Sequence, residues 1–239
     1  YNIAFWNNKA IAVGDCTRIQ KSFDNGKTWE HEVKTNYMCD NDKSSLRKVM
    51  FYNEVSGVAI GNRNRERGNC FHTWDGGETW SDIHGMNGLE DWWVFGFDST
   101  YACGFGILEK ITKIGYQTTI LPFSGDYFTG IWFTSNKIGF MCGYDGGIYK
   151  TRDGGATWST VFKKNSLLKK RIHFNDIIFI DDNTGFVVGE NGVMYKTNSE
   201  GESWLKVNEF TSNSLTGIMY HNNMLYIYST NGTYYTTMP

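Results

Sequence analysis

The sequence predicts an all-β chain folded as a β-propeller, with six four-stranded antiparallel blades and seven as the alternative count. Three observations predict it. A short phrase ending in tryptophan recurs, its copies lie near forty residues apart, and strand-like alternation fills the intervals. A period of about forty in a β-rich chain is that of propeller blades. The 239 residues suit one such domain, spanning 1–239.

The phrase is clearest as TRDGGATW at Thr151 to Trp158. SFDNGKTW at Ser22 to Trp29 and TWDGGETW at Thr73 to Trp80 match it, while TNSEGESW at Thr197 to Trp204 keeps Gly201 and puts Ser199 at the aspartate position. Asp24, Asp75 and Asp153 can accept hydrogen bonds from downstream main-chain N–H groups and fold the chain into an Asx-type turn. Gly26, Gly77 and Gly155 then stand where positive φ is needed. Trp29, Trp80, Trp158 and Trp204 open the outgoing strand, each ring covering its turn. The spacing S/T-x-D-x-G-x-x-W resembles the Asp box, or bacterial neuraminidase repeat, of several β-propeller families. That resemblance implies a structural motif on the turn between the third and fourth strands of a blade.

In chain order, the phrases at 22, 73, 151 and 197 leave one interval too long for a single repeat. Gly106 to Gly115 overlays Gly192 to Gly201 and supplies the missing copy, its phrase decayed to ITKIGYQT from Ile111. A sixth copy ends at Thr237, so real or virtual starts fall at 22, 73, 111, 151, 197 and 237. In the fifth repeat, period-two alternation and turn residues place strands at Asn175 to Ile180, Phe186 to Gly189, Val193 to Thr197 and Trp204 to Val207. Phe128 to Gly143 aligns with Phe174 to Gly189 without a gap. Helical spacing is convincing nowhere, and the last repeat shows three strands.

A formal net charge of -2 gives no overall steering toward nucleic acid. No run approaches a transmembrane length, so membrane insertion is not expected. The chain opens at Tyr1 without a methionine, which suggests a mature or trimmed form from which any targeting segment is already missing. Cys103 and Cys142 precede glycine on successive second strands and read as buried small hydrophobes. Cys16, Cys39 and Cys70 fall in or beside connections, where one disulfide would suit an oxidising compartment. The sequence does not choose the pair.

Function in a propeller is expected on loops gathered at one face. Aligned positions at the starts of the innermost strands give Tyr1 and Asn2, Arg47 and Lys48, Trp92 and Trp93, Thr129 and Gly130, Asn175 and Asp176, and Thr216 and Gly217. The tryptophan pair, with Tyr127 nearby, could stack a sugar or receive a peptide. Two basic insertions break the repeat: Gly61 to Asn69, with Arg63, Arg65 and Arg67, and Phe162 to Phe174, with Lys163, Lys164, Lys169, Lys170, Arg171 and His173. They supply a local positive field for an acidic partner, or solvated loop tips.

No complete catalytic set is visible. The arginine motif F/Y-R-I-P expected of a sialidase has no counterpart, and the acids near the ring are Asp91, Asp126 and Asp176, where a glycosidase needs two facing carboxylates. No His-x-His metal pattern, phosphate-binding glycine loop or Gly-x-Ser-x-Gly elbow occurs, so no metal or cofactor is expected. Among Asp-box propellers, GYDGGIYKTRDGGATW from Gly143 to Trp158 resembles the photosystem II stability and assembly factor family, as does Gly189 to Trp204. The resemblance implies a non-enzymatic, extracytoplasmic scaffold that binds a protein partner through one face, here as a monomer. The competing reading is a carbohydrate-binding or carbohydrate-cleaving propeller.

Overall fold

The computed structural model describes residues 2–6, 8–30, 45–64, 67–82, 89–94, 100–112, 115–121, 127–163, 172–208 and 211–237. Among them, the strands form six antiparallel sheets, each a meander of consecutive strands. The first sheet is β1 (Asn2–Trp6), β2 (Lys9–Val13) and β3 (Ile19–Ser22); the second is β4 (Ser45–Phe51), β5 (Gly57–Asn64), β6 (Arg67–Thr73) and β7 (Ser81–Asp82). The third holds β8 (Leu89–Val94), β9 (Thr100–Gly104), β10 (Ile107–Thr112) and β11 (Gly115–Ile120). The fourth holds β12 (Phe128–Phe133), β13 (Gly139–Gly143), β14 (Gly147–Thr151) and β15 (Ser159–Lys163). The fifth holds β16 (Phe174–Phe179), β17 (Thr184–Gly189), β18 (Met194–Asn198) and β19 (Leu205–Lys206), and the sixth β20 (Leu215–His221), β21 (Met224–Ser229) and β22 (Gly232–Thr237). A single 3-10 turn, Glu190–Gly192, is the one helical element described.

The chain divides into two compact units, Tyr1–Thr119 and Ile120–Pro239. In the first, Ile11, Val13 and Ile19 pack on Leu46, Val49 and Phe71, while Val58, Ile60 and Cys70 pack on Leu89, Trp92 and Ala102. In the second, Phe140, Cys142 and Ile148 meet Phe174, Ile177 and Val187, while Ile178, Phe186 and Val188 meet Leu215, Ile218 and Leu225. Within each unit, consecutive sheets therefore pack face against face, and the second and fifth sheets bury both alternating faces of their strands.

The repeated turn has the same wiring in three copies. Thr151 Oγ1 donates to Asp153 Oδ1 at 2.8 Å and accepts from Gly155 N at 2.9 Å. Thr157 donates its N–H to Asp153 Oδ1 and its hydroxyl to Oδ2, and Trp158 Nε1 donates to Gly155 O at 3.1 Å. Ser22, Asp24, Gly26, Thr28 and Trp29 repeat this set, as do Thr73, Asp75, Gly77, Thr79 and Trp80. Gly26, Gly77, Gly155 and Gly201 all have positive φ. In the fourth copy Ser199 replaces the carboxylate and reaches Ser203, while Trp204 still caps Gly201 O. The third sheet carries no such phrase, yet β10 and β11 pair as its virtual copy requires.

The rings are not equally anchored. Trp80, Trp158 and Trp204 are 7 to 8% exposed and meet Phe51, Phe133 and Phe179 edge-on at 6.0, 6.0 and 5.9 Å. Trp29, expected to anchor in the same way, is 36% exposed beside a 57% exposed Phe5. Between sheets, the cation one residue before the turn reaches the next sheet's turn: Lys21 pairs with Glu78 and Lys150 with Glu202.

The structure also revises the reading of the first basic insertion. It is no loop: Gly61 pairs with Asn69, Asn62 with Gly68 and Asn64 with Arg67, so β5 and β6 run on as a hairpin. Cys70 lies inside β6, and Cys70, Cys103 and Cys142 are buried thiols. Cys16 is disulfide-bonded.

Two predictions follow from the turns. Trp158→Ala should cost about 3 to 5 kcal/mol in chemical denaturation, a buried-aromatic loss, and Trp29→Ala less than about 2 kcal/mol because less area is buried; equal losses would contradict the anchoring difference. Hydrogen bonds to the carboxylate, led by the Thr28 hydroxyl, lower the Asp24 pKa from the ordinary 3.8 to about 2. A depressed folded-state pKa contributes stability that is present above the ordinary value and is lost as pH falls toward about 2. In thermal melts, the gap between the native chain and Asp24→Asn should therefore shrink over that interval; a pH-independent gap would contradict it.

Candidate functional site

The inner strands share a device that fixes what they present. β4, β8, β12, β16 and β20 each carry a register shift within their first three residues, skipping Arg47, Glu90, Thr129, Asn175 and Thr216. A bulge of this kind frees one residue from the ladder and re-aims its side chain. Thr129 Oγ1 donates to Phe174 O at 2.7 Å and Asn175 Nδ2 to Leu215 O at 2.7 Å, so each bulged residue ties its sheet to the first inner residue of the next. The following position makes a second tie. Asn2 Oδ1 accepts from Val49 N at 3.1 Å, and Asp176 Oδ2 accepts from Ile218 N at 3.0 Å.

These bulges correct the alignment of the third sheet. The shift between Leu89 and Asp91 places Glu90 and Asp91 where Arg47 and Lys48 stand in the second sheet, and moves Trp92 and Trp93 two residues further along the strand. Trp92 is 8% exposed within the core of the second and third sheets, and Trp93 is partly buried. Arg47 Nε lies 3.5 Å from Glu90, and Lys48 pairs with Asp91, whose side chain is 4% exposed. The two cations of the expected ring are thus ion-paired to carboxylates of the adjoining sheet. Asp176 is likewise engaged, through Ile177 N and Ile218 N. Tyr1, Asp126, Arg65, Lys164, Lys169, Lys170 and Arg171 lie outside the described residues, as do the side chains of Arg63 and Arg67.

At the edge where β12 and β16 begin, the structure does bring two expected residues together. Tyr127 and Tyr144 lie with ring centroids 5.3 Å apart, and Tyr144 meets the His173 imidazole edge-on at 4.7 Å. His173 Nδ1 is 3.5 Å from Glu190 Oε1. The backbone sets this row: Tyr144 N donates to Tyr127 O at 3.0 Å, and Glu190 N to His173 O at 2.9 Å. Close approach of each turn depends on glycine, since a Cβ on Gly189 would overlap the His173 carbonyl. Tyr144 is 38% exposed, and the His173 and Glu190 side chains are 30% and 41% exposed. Tyr127, by contrast with Trp92, keeps part of its surface at this edge.

Tyr144 and Glu190 were missed as candidates although the signal was present. The ungapped alignment of Phe128 to Gly143 with Phe174 to Gly189 puts Tyr127 over His173 and, one residue past its end, Tyr144 over Glu190. A half-exposed aromatic row ending in a carboxylate offers stacking faces and one charged acceptor, the surface chemistry of a binding hot spot. Among the described residues, no group of three His, Cys, Asp or Glu side chains could hold a metal ion.

Comparison with known proteins agrees with the repeat. The family model of the photosynthesis system II assembly factor YCF48 matches residues 109–225, which include the whole row. Among curated protein sequences, none matches this chain. A solved structure of YCF48 bound to D1 peptide is similar with a TM-score of 0.77 and 14% identity over 100% of this chain and 77% of that chain. YCF48 from Cyanidioschyzon merolae gives 0.75 and 14% over 99% and 79%, and the WD40 β-propeller domain of Doa1 gives 0.71 and 9% over 98% and 76%. The resemblance to that assembly-factor family is therefore borne out, and the fold is that of β-propeller proteins.

The Lys48 to Asp91 pair makes a checkable statement about this surface. Lys48→Ala should destabilise the chain by about 1 to 3 kcal/mol in urea denaturation, because it removes the cation paired with a buried carboxylate, reduced by the partial exposure of the lysine. An unchanged midpoint would contradict the pairing.

Proposed function

We propose that this chain, similar to the photosystem II assembly factor family in its repeat and in its fold, is a non-enzymatic protein-binding propeller. Its six sheets serve as the blades of one domain spanning 1–239, and the repeated turns are structural Asp boxes. The observation that carries the reading is the half-exposed row Tyr127, Tyr144, His173 and Glu190, fixed by backbone hydrogen bonds at the edge where two inner strands begin. A pre-organised aromatic surface binds without the cost of ordering loose side chains. The similar structure that holds a D1 peptide supports a peptide or protein segment as the class of ligand.

Net charge gives this chain little long-range steering. The basic stretches that contain Arg63, Arg65 and Arg67, and Lys169, Lys170 and Arg171, supply local positive charge that speeds encounter with an acidic partner. Disulfide bonding at Cys16 supports an extracytoplasmic location, where such bonds persist. The chain acts as a monomer. The sugar reading rested on paired tryptophans at the ring; with Trp92 in the core, the remaining stacking surface suits a side chain of a protein segment better than a pyranose platform.

The test is a comparative pull-down from native extract. The intact chain should retain a partner that a Tyr127→Ala, Tyr144→Ala double variant, folded by circular dichroism, loses. A variant with the six basic residues changed to Ala should bind more slowly and with weaker salt dependence. Equal recovery by the tyrosine variant would contradict the reading, and binding on a glycan array that the same variant loses would replace it.

A further inference from the structure

Resting on the protein-binding reading, we propose that the row Tyr127, Tyr144, His173 and Glu190 is a subsite for one cationic side chain, an arginine or lysine, of the bound segment. The rings of Tyr127 and Tyr144 are tilted by 49° at 5.3 Å, so their faces are not stacked against each other, and Tyr144 is 38% exposed. Such faces carry partial negative charge and attract a guanidinium or ammonium group placed over them. Glu190 ends the row with a carboxylate acceptor whose side chain is 41% exposed. A guanidinium stacked on tyrosine and hydrogen-bonded to that carboxylate would use both features at once.

The position of the carboxylate is fixed by its turn. Glu190 opens the 3-10 turn, Asn191 and Gly192 hold positive φ at 56° and 71°, and Glu190 N is tied to His173 O. His173 stands between the tyrosines and Glu190, its Nδ1 without a hydrogen-bond partner and 3.5 Å from the carboxylate. The imidazole thus lines the row and leaves lone pairs of Glu190 for an incoming donor. Asp145 adds a second carboxylate on the neighbouring turn, while the described cation at this edge is Lys163, opposite Gly147 in the ladder. The next residues in sequence, Lys164 to Arg171, are rich in basic groups. A segment suited to both would carry charges of both signs, its cation directed to Glu190.

The probes are N-acetyl-arginine amide, its neutral isostere N-acetyl-citrulline amide, and N-acetyl-glutamate amide, titrated into the intact 239-residue chain and followed by the aromatic ring resonances. The arginine probe should shift the Tyr127, Tyr144 and His173 resonances saturably, and Glu190→Gln should weaken it by roughly tenfold, the loss of one charged hydrogen bond. Tyr144→Ala should weaken it by roughly fivefold, the scale of an exposed cation–π contact. Equal shifts from the citrulline probe, preferential binding of the glutamate probe, or indifference to Glu190→Gln would overturn the cation subsite. The partner pull-down distinguishes the two levels: capture lost with the tyrosines but kept with Glu190→Gln leaves the binding face standing and removes the subsite.

Discussion

A hydroxyl, a carboxylate and a glycine hold this chain in its repeating form. In the turn at Thr151 to Trp158, the threonine hydroxyl binds both the aspartate and the glycine amide, and the aspartate binds both groups of Thr157. Five polar groups are satisfied within eight residues, so the turn closes without help from the core. The tryptophan then joins this local structure to packing, its N–H on the glycine carbonyl and its ring against a phenylalanine of the inner strand. Where one part is weakened the others persist: Ser199 reaches Ser203 in place of the carboxylate, and Trp204 remains buried.

The sheets are joined by two further sets of ties. At the turns, Lys21 and Lys150 reach glutamates of the following sheet; at the start of the inner strands, bulged Thr129 and Asn175 bind the carbonyl of the following sheet. Lys150 is 2% exposed, so its charge is held by Glu202 and the Glu200 carbonyl rather than by water. The bulges do more than connect. They set the register of the strand edge that carries Tyr127 and His173, so the same irregularity that locks adjoining sheets also lies beside the candidate interface.

Most of the fold was legible because the turn is a local structure. Its residues are within eight positions of one another, and each copy reports on the next. The strand limits of the fifth repeat came within one or two residues, and the decayed third copy was found from its neighbours. The site was less legible because it depends on register. Aligning Trp92 and Trp93 with Arg47 and Lys48 placed the third sheet's bulge two residues late, and that slip exchanged Glu90 and Asp91 for a tryptophan pair. The structure places Glu90 and Asp91 instead as the counter-charges of Arg47 and Lys48. Tyr127 and His173 could be named from sequence, but their link through Tyr144 required knowing which turn lies against which strand. Trp29 shows the same limit from the other side: its local hydrogen bonds are those of the other copies, and its burial is not, because burial comes from packing beyond the turn.

Hydrogen–deuterium exchange on the chain with and without a captured partner tests the central claim most directly. The account predicts added protection at 127–130, 143–147, 172–175 and 188–193, the segments that carry the tyrosines, His173 and Glu190 and their supporting bulges. Protection confined to the repeated turns, or to the first unit alone, would contradict it.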